Sequence, residues 1–174
     1  NITIMDKVKP ISIKELKPGV YMMDMGQNMV GWLKLKVKGS KGDELKLHFA
    51  ETLQKDGSLY TANLRSAETT DTYILKGVGT EVWEPSFTYH GFRYVEMTGF
   101  KTKPNLADIE GEVIYDEMST TGTLETSNSM FNKVYQNAFW GIRGNYRGMP
   151  TDCPQRDERM GWLGDRGVGC LGEA

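Results

Sequence analysis

The chain has 174 residues, of which 39% are hydrophobic and 25% are charged, and its formal net charge at pH 7 is −2. This length holds one domain or one and a half, and the balanced charge excludes the basic footprint of a nucleic-acid-binding domain. The apolar runs are only a few residues long, which excludes a membrane-inserted helix.

Residues 19–115 alternate apolar and polar side chains, which is the period of half-buried strands. Leu33–Lys38 and Glu44–Phe49 are two such runs on either side of a glycine-containing turn, and they predict a hairpin. Three further strands are predicted, at 72–75, 87–97 and 109–115. Short strands at this spacing predict a mainly β fold, an antiparallel β-sandwich of jelly-roll type.

After the strands the period becomes that of an amphipathic helix. Ser127 or Asn128 is a suitable N-cap and Gly144 a stop, so one long helix is predicted between them. Its apolar face consists of side chains three or four positions apart, namely Phe131, Val134, Tyr135, Ala138, Phe139 and Ile142. A charged loop follows, and a truncated second helix is predicted to begin near Trp162 or Leu163.

One helix, a loop and the start of another helix cannot bury a core of their own. They therefore belong to a larger helical domain or lie against the sandwich. Serine and threonine concentrate between the two patterns. The predicted organisation is a sandwich over residues 1–118, a linker over 119–126, and part of a helical domain over 127–174.

The loop from Pro150 to Asp165 carries the most informative chemistry, and its prolines and glycines stop both helix and strand. It holds four carboxylates, two guanidinium groups and one indole, which belong to Asp152, Asp157, Glu158, Asp165, Arg156, Arg159 and Trp162. Carboxylates accept hydrogen bonds from sugar hydroxyls, arginines hold carboxylates, and an indole face stacks on a pyranose ring. The loop is therefore either an acid–base sugar site or a surface loop held by ion pairs, because the two look alike in sequence.

The remaining candidate site residues favour structural interpretations. Cys153 and Cys170 are too few for a disulfide framework and lack metal-ligand spacing, so they are predicted to be buried free thiols, and no metal site is expected. His48 and His90 are predicted to be polar members of strands. The two sheet tryptophans, Trp32 and Trp83, are predicted to be core or sheet-rim residues.

The aromatic segment Tyr89–Tyr94 has the appearance of a sugar platform, but strand alternation divides its side chains between two faces. Half of the segment must then be core, so a structural role is predicted. Gly91 within it predicts a bulge or a close backbone approach.

Residues 151–165 resemble the signature of bacterial α-L-rhamnosidases, glycoside hydrolase family 78. Further motifs follow in the family's order, at Asp24–Trp32, Ala50–Glu51, Asp56–Tyr60, Asn63–Arg65, Thr70–Tyr73 and Trp83–Glu96, so the resemblance covers nearly the whole chain. It implies a β-sandwich domain followed by the start of an (α/α)₆ catalytic barrel, with the signature loop after the first barrel helix.

The resemblance also implies inverting hydrolysis of terminal non-reducing α-L-rhamnose from glycosides or polysaccharides, without a cofactor. Glu158 matches the family's general acid. The residues that match its rhamnose pocket are Asp152, Arg156, Trp162 and Asp165. The general base is expected beyond residue 174, in the remainder of the chain's own catalytic domain, so the isolated chain is expected to be inactive.

Two acidic residues near the site are interpreted as structural: Asp157, with an ion pair to a loop arginine, and Glu173. The alternatives are a carbohydrate-binding or structural β-sandwich module without catalysis, and a helical-barrel glycosidase that acts on another sugar. The opening residues lack the apolar core of a signal peptide. The expected compartment is the bacterial cytoplasm or periplasm, with no choice made between them.

Overall fold

The computed structural model describes residues 1–162 and residue 164, and this part of the chain contains ten strands and one α-helix. The strands are β1 (Ile2–Val8), β2 (Ser12–Lys17), β3 (Val20–Lys38), β4 (Glu44–Ala50), β5 (Thr52–Leu53), β6 (Leu59–Tyr60), β7 (Thr70–Ile74), β8 (Thr80–Trp83), β9 (His90–Thr98) and β10 (Ile109–Asp116). The helix is α1 (Ser129–Arg143), and single 3₁₀ turns lie at Ala62–Leu64 and Leu106–Asp108.

The main sheet is antiparallel, with strand order β1-β10-β3-β9-β4-β7. It curls around the 19-residue β3, because the first part of β3 pairs with β2 and β9 while its last part pairs with β10 and β8. The predicted mainly β, antiparallel fold followed by one long helix is confirmed. The predicted second helix falls outside the described residues.

The predicted hairpin between Leu33–Lys38 and Glu44–Phe49 is wrong. β4 pairs with β7 and β9, and β9 lies between β3 and β4 in the sheet. Five of the nine residues of β9 are buried, so this strand takes a central position that a local turn signal does not reveal.

The apolar–polar alternation did predict which side chains enter the core. Leu33 and Leu35 are fully buried, while Lys36 and Lys38 on the opposite face are exposed. β1 and β2 precede the region predicted as strands, and their side chains are mostly exposed. They therefore lack the pattern that a half-buried strand displays.

Both sheet tryptophans occupy the predicted positions. Trp83 packs against the main core and stacks on Tyr73, with ring centroids 4.8 Å apart. Trp32 is half-buried at the rim and donates a hydrogen bond of 3.1 Å from Nε1 to Glu84.

Helix α1 begins where Asn128 Oδ1 accepts a hydrogen bond from the backbone N–H of Met130, which identifies Asn128 as the N-cap. Gly144 ends the helix, as predicted. Within residues 1–162, no helix is long and apolar enough to cross a membrane.

The helix contacts the sandwich with a face other than its predicted apolar one. Trp140 packs against the main core, and Arg143 is buried, with its guanidinium 3.6 Å from the Trp140 ring centroid and 2.8 Å from Asp6 Oδ2. On the predicted face, Phe131 is 62% exposed and Val134 is 60% exposed.

Candidate active site

The charged loop lies across one end of β9. Three backbone hydrogen bonds fix its path. The N–H of Thr151 donates to the carbonyl oxygen of Asn145, and the N–H of Asp152 donates to that of Met160 within the loop. The N–H of Asp157 donates to the carbonyl oxygen of Leu64 in the sandwich. The loop therefore has a fixed path that ties helix α1 to the sheet.

Gly91 in β9 lets the loop come close to the sheet. A Cβ at this position would lie 2.8 Å from Gln155 Cβ and 3.1 Å from Gln155 Cα, inside van der Waals contact. Of the two predicted roles for Gly91, the close backbone approach is confirmed. The bulge lies in β3, between Asp24 and Met29, opposite Arg93 of β9.

Tyr89 holds the loop from the other side. The guanidinium groups of Arg147 and Arg159 lie 4.4 Å and 4.1 Å from the centre of its ring. Arg159 also donates a hydrogen bond of 2.8 Å to the Tyr89 carbonyl oxygen. With His90 and Phe92 buried in the core, the predicted structural role of this aromatic segment is confirmed.

The Glu158 carboxyl contacts two arginines and one indole and is only 14% exposed. Its Oε2 lies 2.6 Å from Arg156 Nη2 and 3.0 Å from Arg65 Nη1. Its Oε1 accepts a hydrogen bond of 3.2 Å from Trp162 Nε1. The two oxygens thus have different environments, one facing two cations and the other an indole N–H.

Asp152 stands beside Glu158. One carboxylate oxygen of Asp152, one of Glu158 and the Sγ atom of Cys153 all lie within 4.8 Å of one another. Burial raises the pKa of Asp152, but interactions with the Glu158 carboxyl, nearby backbone N–H groups and Trp162 outweigh it, and the pKa lies below its usual range. Asp152 is therefore ionised at neutral pH.

One oxygen of Asp152, Oδ1, is buried and has no hydrogen-bond partner among the described residues. A buried carboxylate oxygen needs a donor. A ligand, a water molecule or a part of the protein outside the described residues can supply that donor. A groove of about 410 Å³ lies beside it, with Asp152 and Trp162 in its lining.

The thiol and the guanidinium group beside these carboxyls also have shifted pKa values. Burial, followed by the Asp152 charge, raises the pKa of the Cys153 thiol. The hydrogen bond with Glu158 raises the pKa of Arg156 above its ordinary value. Permanent cations therefore already neutralise the Glu158 carboxylate.

Four of the five predicted site residues come together: Asp152, Arg156, Glu158 and Trp162. Asp165 lies outside the described residues, as does Cys170. Cys153 is a free thiol, but it is half-buried rather than buried as predicted.

Asp157 points away from this group. Its Oδ2 accepts a hydrogen bond from Ser66 Oγ, so the predicted ion pair with a loop arginine is wrong. The carboxyl groups of Asp157 and Glu158 thus contact successive residues of one turn in the sandwich, Ser66 and Arg65 respectively.

Sequence reasoning missed Arg65 as a site residue. It belongs to Asn63–Arg65, one of the segments that carried the family resemblance, but its local pattern gave no indication of a contact with the distant loop. Only the folded chain brings it to Glu158.

Comparison with known proteins identifies the family. Residues 14–115 match the bacterial alpha-L-rhamnosidase concanavalin-like domain, and residues 119–174 match the bacterial alpha-L-rhamnosidase 6 hairpin glycosidase domain. The chain therefore belongs to the bacterial alpha-L-rhamnosidase family, as its motifs predicted.

Individual relatives agree with this assignment. An alpha-L-rhamnosidase from Streptomyces avermitilis is 53% identical over 156 residues, which are 90% of this chain and 15% of that protein. The crystal structure of Streptomyces avermitilis alpha-L-rhamnosidase complexed with L-rhamnose has a TM-score of 0.94 at 49% identity, over 97% of this chain and 16% of that one.

The structure of alpha-L-rhamnosidase from Dictyoglumus thermophilum has a TM-score of 0.96 at 45% identity, over 98% of this chain and 20% of that one. The chain thus spans between 15% and 20% of the length of these relatives.

Proposed function

We propose that the chain forms the sandwich and the first part of the catalytic domain of an inverting α-L-rhamnosidase. The enzyme removes terminal non-reducing α-L-rhamnose from glycosides or polysaccharides. The observation that carries this proposal is the convergence of Asp152, Arg156, Glu158 and Trp162 in one loop seated on the sandwich. The family assignment and the relative that binds L-rhamnose support it.

Glu158 is the general acid in this proposal. Its proton passes to the glycosidic oxygen as the bond from that oxygen to the sugar's anomeric carbon breaks. The carboxylate of Asp152 and the guanidinium groups of Arg65 and Arg156 all lie close to the Glu158 carboxyl.

The rhamnose ring lies against the groove beside Asp152 and Trp162. The orphaned Oδ1 of Asp152 accepts a hydrogen bond from a sugar hydroxyl, and the half-exposed Trp162 ring stacks on the apolar face of the sugar. Arg156 and Asp165 complete the proposed set of binding residues.

The water that attacks the anomeric carbon needs a second carboxylate as general base. In inverting glycosidases the two carboxyl groups stand roughly 6.5–9.5 Å apart, which leaves room for that water. We place this base in the remainder of the catalytic domain, beyond residue 174. In this proposal the sandwich comprises residues 1–118 and the linker residues 119–126.

Two measurements on the full-length protein test the proposal. NMR of the first-formed product is expected to give β-L-rhamnose, because a single displacement inverts the anomeric carbon. Calorimetry with L-rhamnose is expected to show that Glu158→Gln still binds the sugar, since the amide keeps the size of the carboxyl. First-formed α-L-rhamnose would contradict the inverting mechanism.

The rival function is sugar binding by the sandwich alone. Titration of L-rhamnose into a chain that ends at Met118 decides between the two, and we expect no binding at millimolar sugar. Binding that survives this deletion would place a sugar site on the sandwich and contradict the proposed one.

A further inference from the structure

The sandwich reaches the charged loop through the turn that follows Ala62–Leu64. Arg65 Nη1 lies 3.0 Å from Glu158 Oε2 and donates a hydrogen bond of 3.3 Å to the Asp157 carbonyl oxygen. One guanidinium group from the sandwich thus contacts two successive residues of the loop, and the second is the proposed acid.

The neighbours of Arg65 hold the turn in place. Leu64 is buried in a cluster with Met22 and Ala50, and its carbonyl oxygen accepts a hydrogen bond of 3.2 Å from the Asp157 backbone N–H. Ser66 Oγ donates to the Asp157 carboxylate. The turn is therefore fixed to the sheet on one side and to the loop on the other.

The backbone at Arg65 is strained. Its φ of 58° and ψ of −126° belong to a region that glycine adopts readily and side-chain-bearing residues rarely adopt. Arg159, next to Glu158, also has a positive φ, of 53°. Strained residues persist where their surroundings hold them and cluster at functional sites. The buried side chain of Leu64 and the hydrogen bonds of Leu64 and Ser66 to the loop hold Arg65 in this conformation, which directs its side chain to Glu158.

We propose that Arg65 is a positioning residue, supplied by the sandwich domain, that orients the Glu158 carboxyl and determines which of its oxygens carries the catalytic proton. Cations paired with one oxygen of a carboxyl favour negative charge on that oxygen and leave the proton to the other. With Arg65 and Arg156 both on Oε2, the proton resides on Oε1, from which it passes to the glycosidic oxygen. This inference rests on the proposed function of Glu158 as the acid.

Two consequences distinguish positioning from a purely structural role. A misplaced acid matters most when the leaving group is poor, since a good leaving group departs without a full proton. Loss of a cation beside a carboxyl favours its protonated form. The alkaline limb of the kcat/KM profile therefore moves to higher pH when Arg65 is replaced by a neutral residue.

The test uses the full-length protein and three variants. Arg65→Asn removes the charge with a residue that tolerates positive φ, and Arg65→Lys keeps the charge without the planar fork. Lys101→Ala is the matched control. The side chain of Lys101 is 63% exposed, against 54% for Arg65, and it also forms an ion pair, with Asp43 of the sandwich. Lys101 comes after the C-terminal end of β9, whereas the loop lies at the other end of that strand.

For Arg65→Asn we expect kcat on an alkyl α-L-rhamnoside to fall about 10- to 100-fold, and kcat on 4-nitrophenyl α-L-rhamnoside to fall less than about 3-fold. KM should stay within about 3-fold for both substrates, because the proposed sugar contacts are intact. Arg65→Lys should keep the alkaline limb in place, and Lys101→Ala should match the wild type.

Equal losses on both substrates with an unmoved alkaline limb, in a variant with wild-type thermal unfolding, would overturn the inference and leave the function standing. Glu158→Gln is measured in parallel. If Glu158→Gln retained turnover of the alkyl rhamnoside, Glu158 would not be the general acid, and the proposed role of Arg65 would be wrong as well.

Discussion

At Gly91 the absence of a side chain decides how closely the loop approaches the sheet. Gly91→Ala places a methyl group 2.8 Å from Gln155 Cβ. Because the contact includes backbone atoms of Gln155, the loop must shift. We expect kcat of the full-length protein to fall by at least about 10-fold, since a displacement near 1 Å costs up to about 100-fold in activity.

Gly122→Ala is the control for this prediction. Gly122 lies in the proposed linker; an added Cβ there would have no neighbour within 4 Å, and its φ is not positive. Wild-type kcat in Gly91→Ala would show that the close approach does not set the geometry of the loop.

Single residues also show the limits of sequence reasoning about the site. The resemblance of residues 151–165 to the family's signature implied that Asp152, Arg156, Glu158 and Trp162 share one site, and these four side chains do lie together. It did not predict Arg65, whose contact with Glu158 depends on how the sandwich packs against the loop. A local pattern contains no information about such a long-range contact.

At the scale of elements, β10 carries two glutamates whose ionisation affects stability in opposite directions. Hydrogen bonds with Lys7 and Lys9 lower the pKa of Glu110 to about 2. Burial, followed by the neighbouring Glu84 carboxyl, raises the pKa of Glu112, which is fully buried. The charged form of Glu110 therefore stabilises the fold, while the charged form of Glu112 destabilises it.

The directions of these two pKa shifts predict how the free energy of unfolding depends on pH. Glu110 contributes stability above its unfolded pKa of about 4.5 that is lost as the pH falls toward about 2. Glu112 contributes stability at low pH that is lost as the pH rises through its raised pKa. At pH 7, Glu112→Gln should raise the free energy of unfolding and Glu110→Gln should lower it.

Urea unfolding of the chain at a series of pH values measures both effects, and each variant controls for the other because they lie two residues apart on one strand. Both differences from the wild type should shrink at acidic pH. A loss of stability in Glu112→Gln at pH 7 would mean that its ion pairs with Lys7 and Lys34 outweigh the burial of its charge.

The strands also show what periodicity can predict. Alternation correctly placed Leu33 and Leu35 in the core, because burial follows from which face of the strand a side chain occupies. It failed to pair the strands, since β9 lies between two strands that are neighbours in sequence. The helix was predicted well by contrast, because its cap and its period are both local.

For the whole molecule, helix α1 leaves Phe131 and Val134 exposed on a face suited to packing against further helices. This chain covers only 15% and 20% of the length of two of its relatives. We predict that the isolated chain hydrolyses no α-L-rhamnoside, because one helix cannot form the wall of a pocket or supply the base. Turnover of 4-nitrophenyl α-L-rhamnoside by the purified chain, absent from a Glu158→Gln preparation, would contradict this.

In the proposed mechanism Glu158, and not the adjacent carboxylate of Asp157, donates the proton. Turnover of an alkyl α-L-rhamnoside by full-length Glu158→Gln and Asp157→Asn tests it most directly, because Asp157 faces Ser66 and its Asn replacement keeps an acceptor oxygen there. We predict that Glu158→Gln loses at least about 100-fold in kcat, as expected for removal of a general acid, while Asp157→Asn stays within about 10-fold of wild type. Near wild-type turnover by Glu158→Gln, with the larger loss in Asp157→Asn, would contradict the assignment.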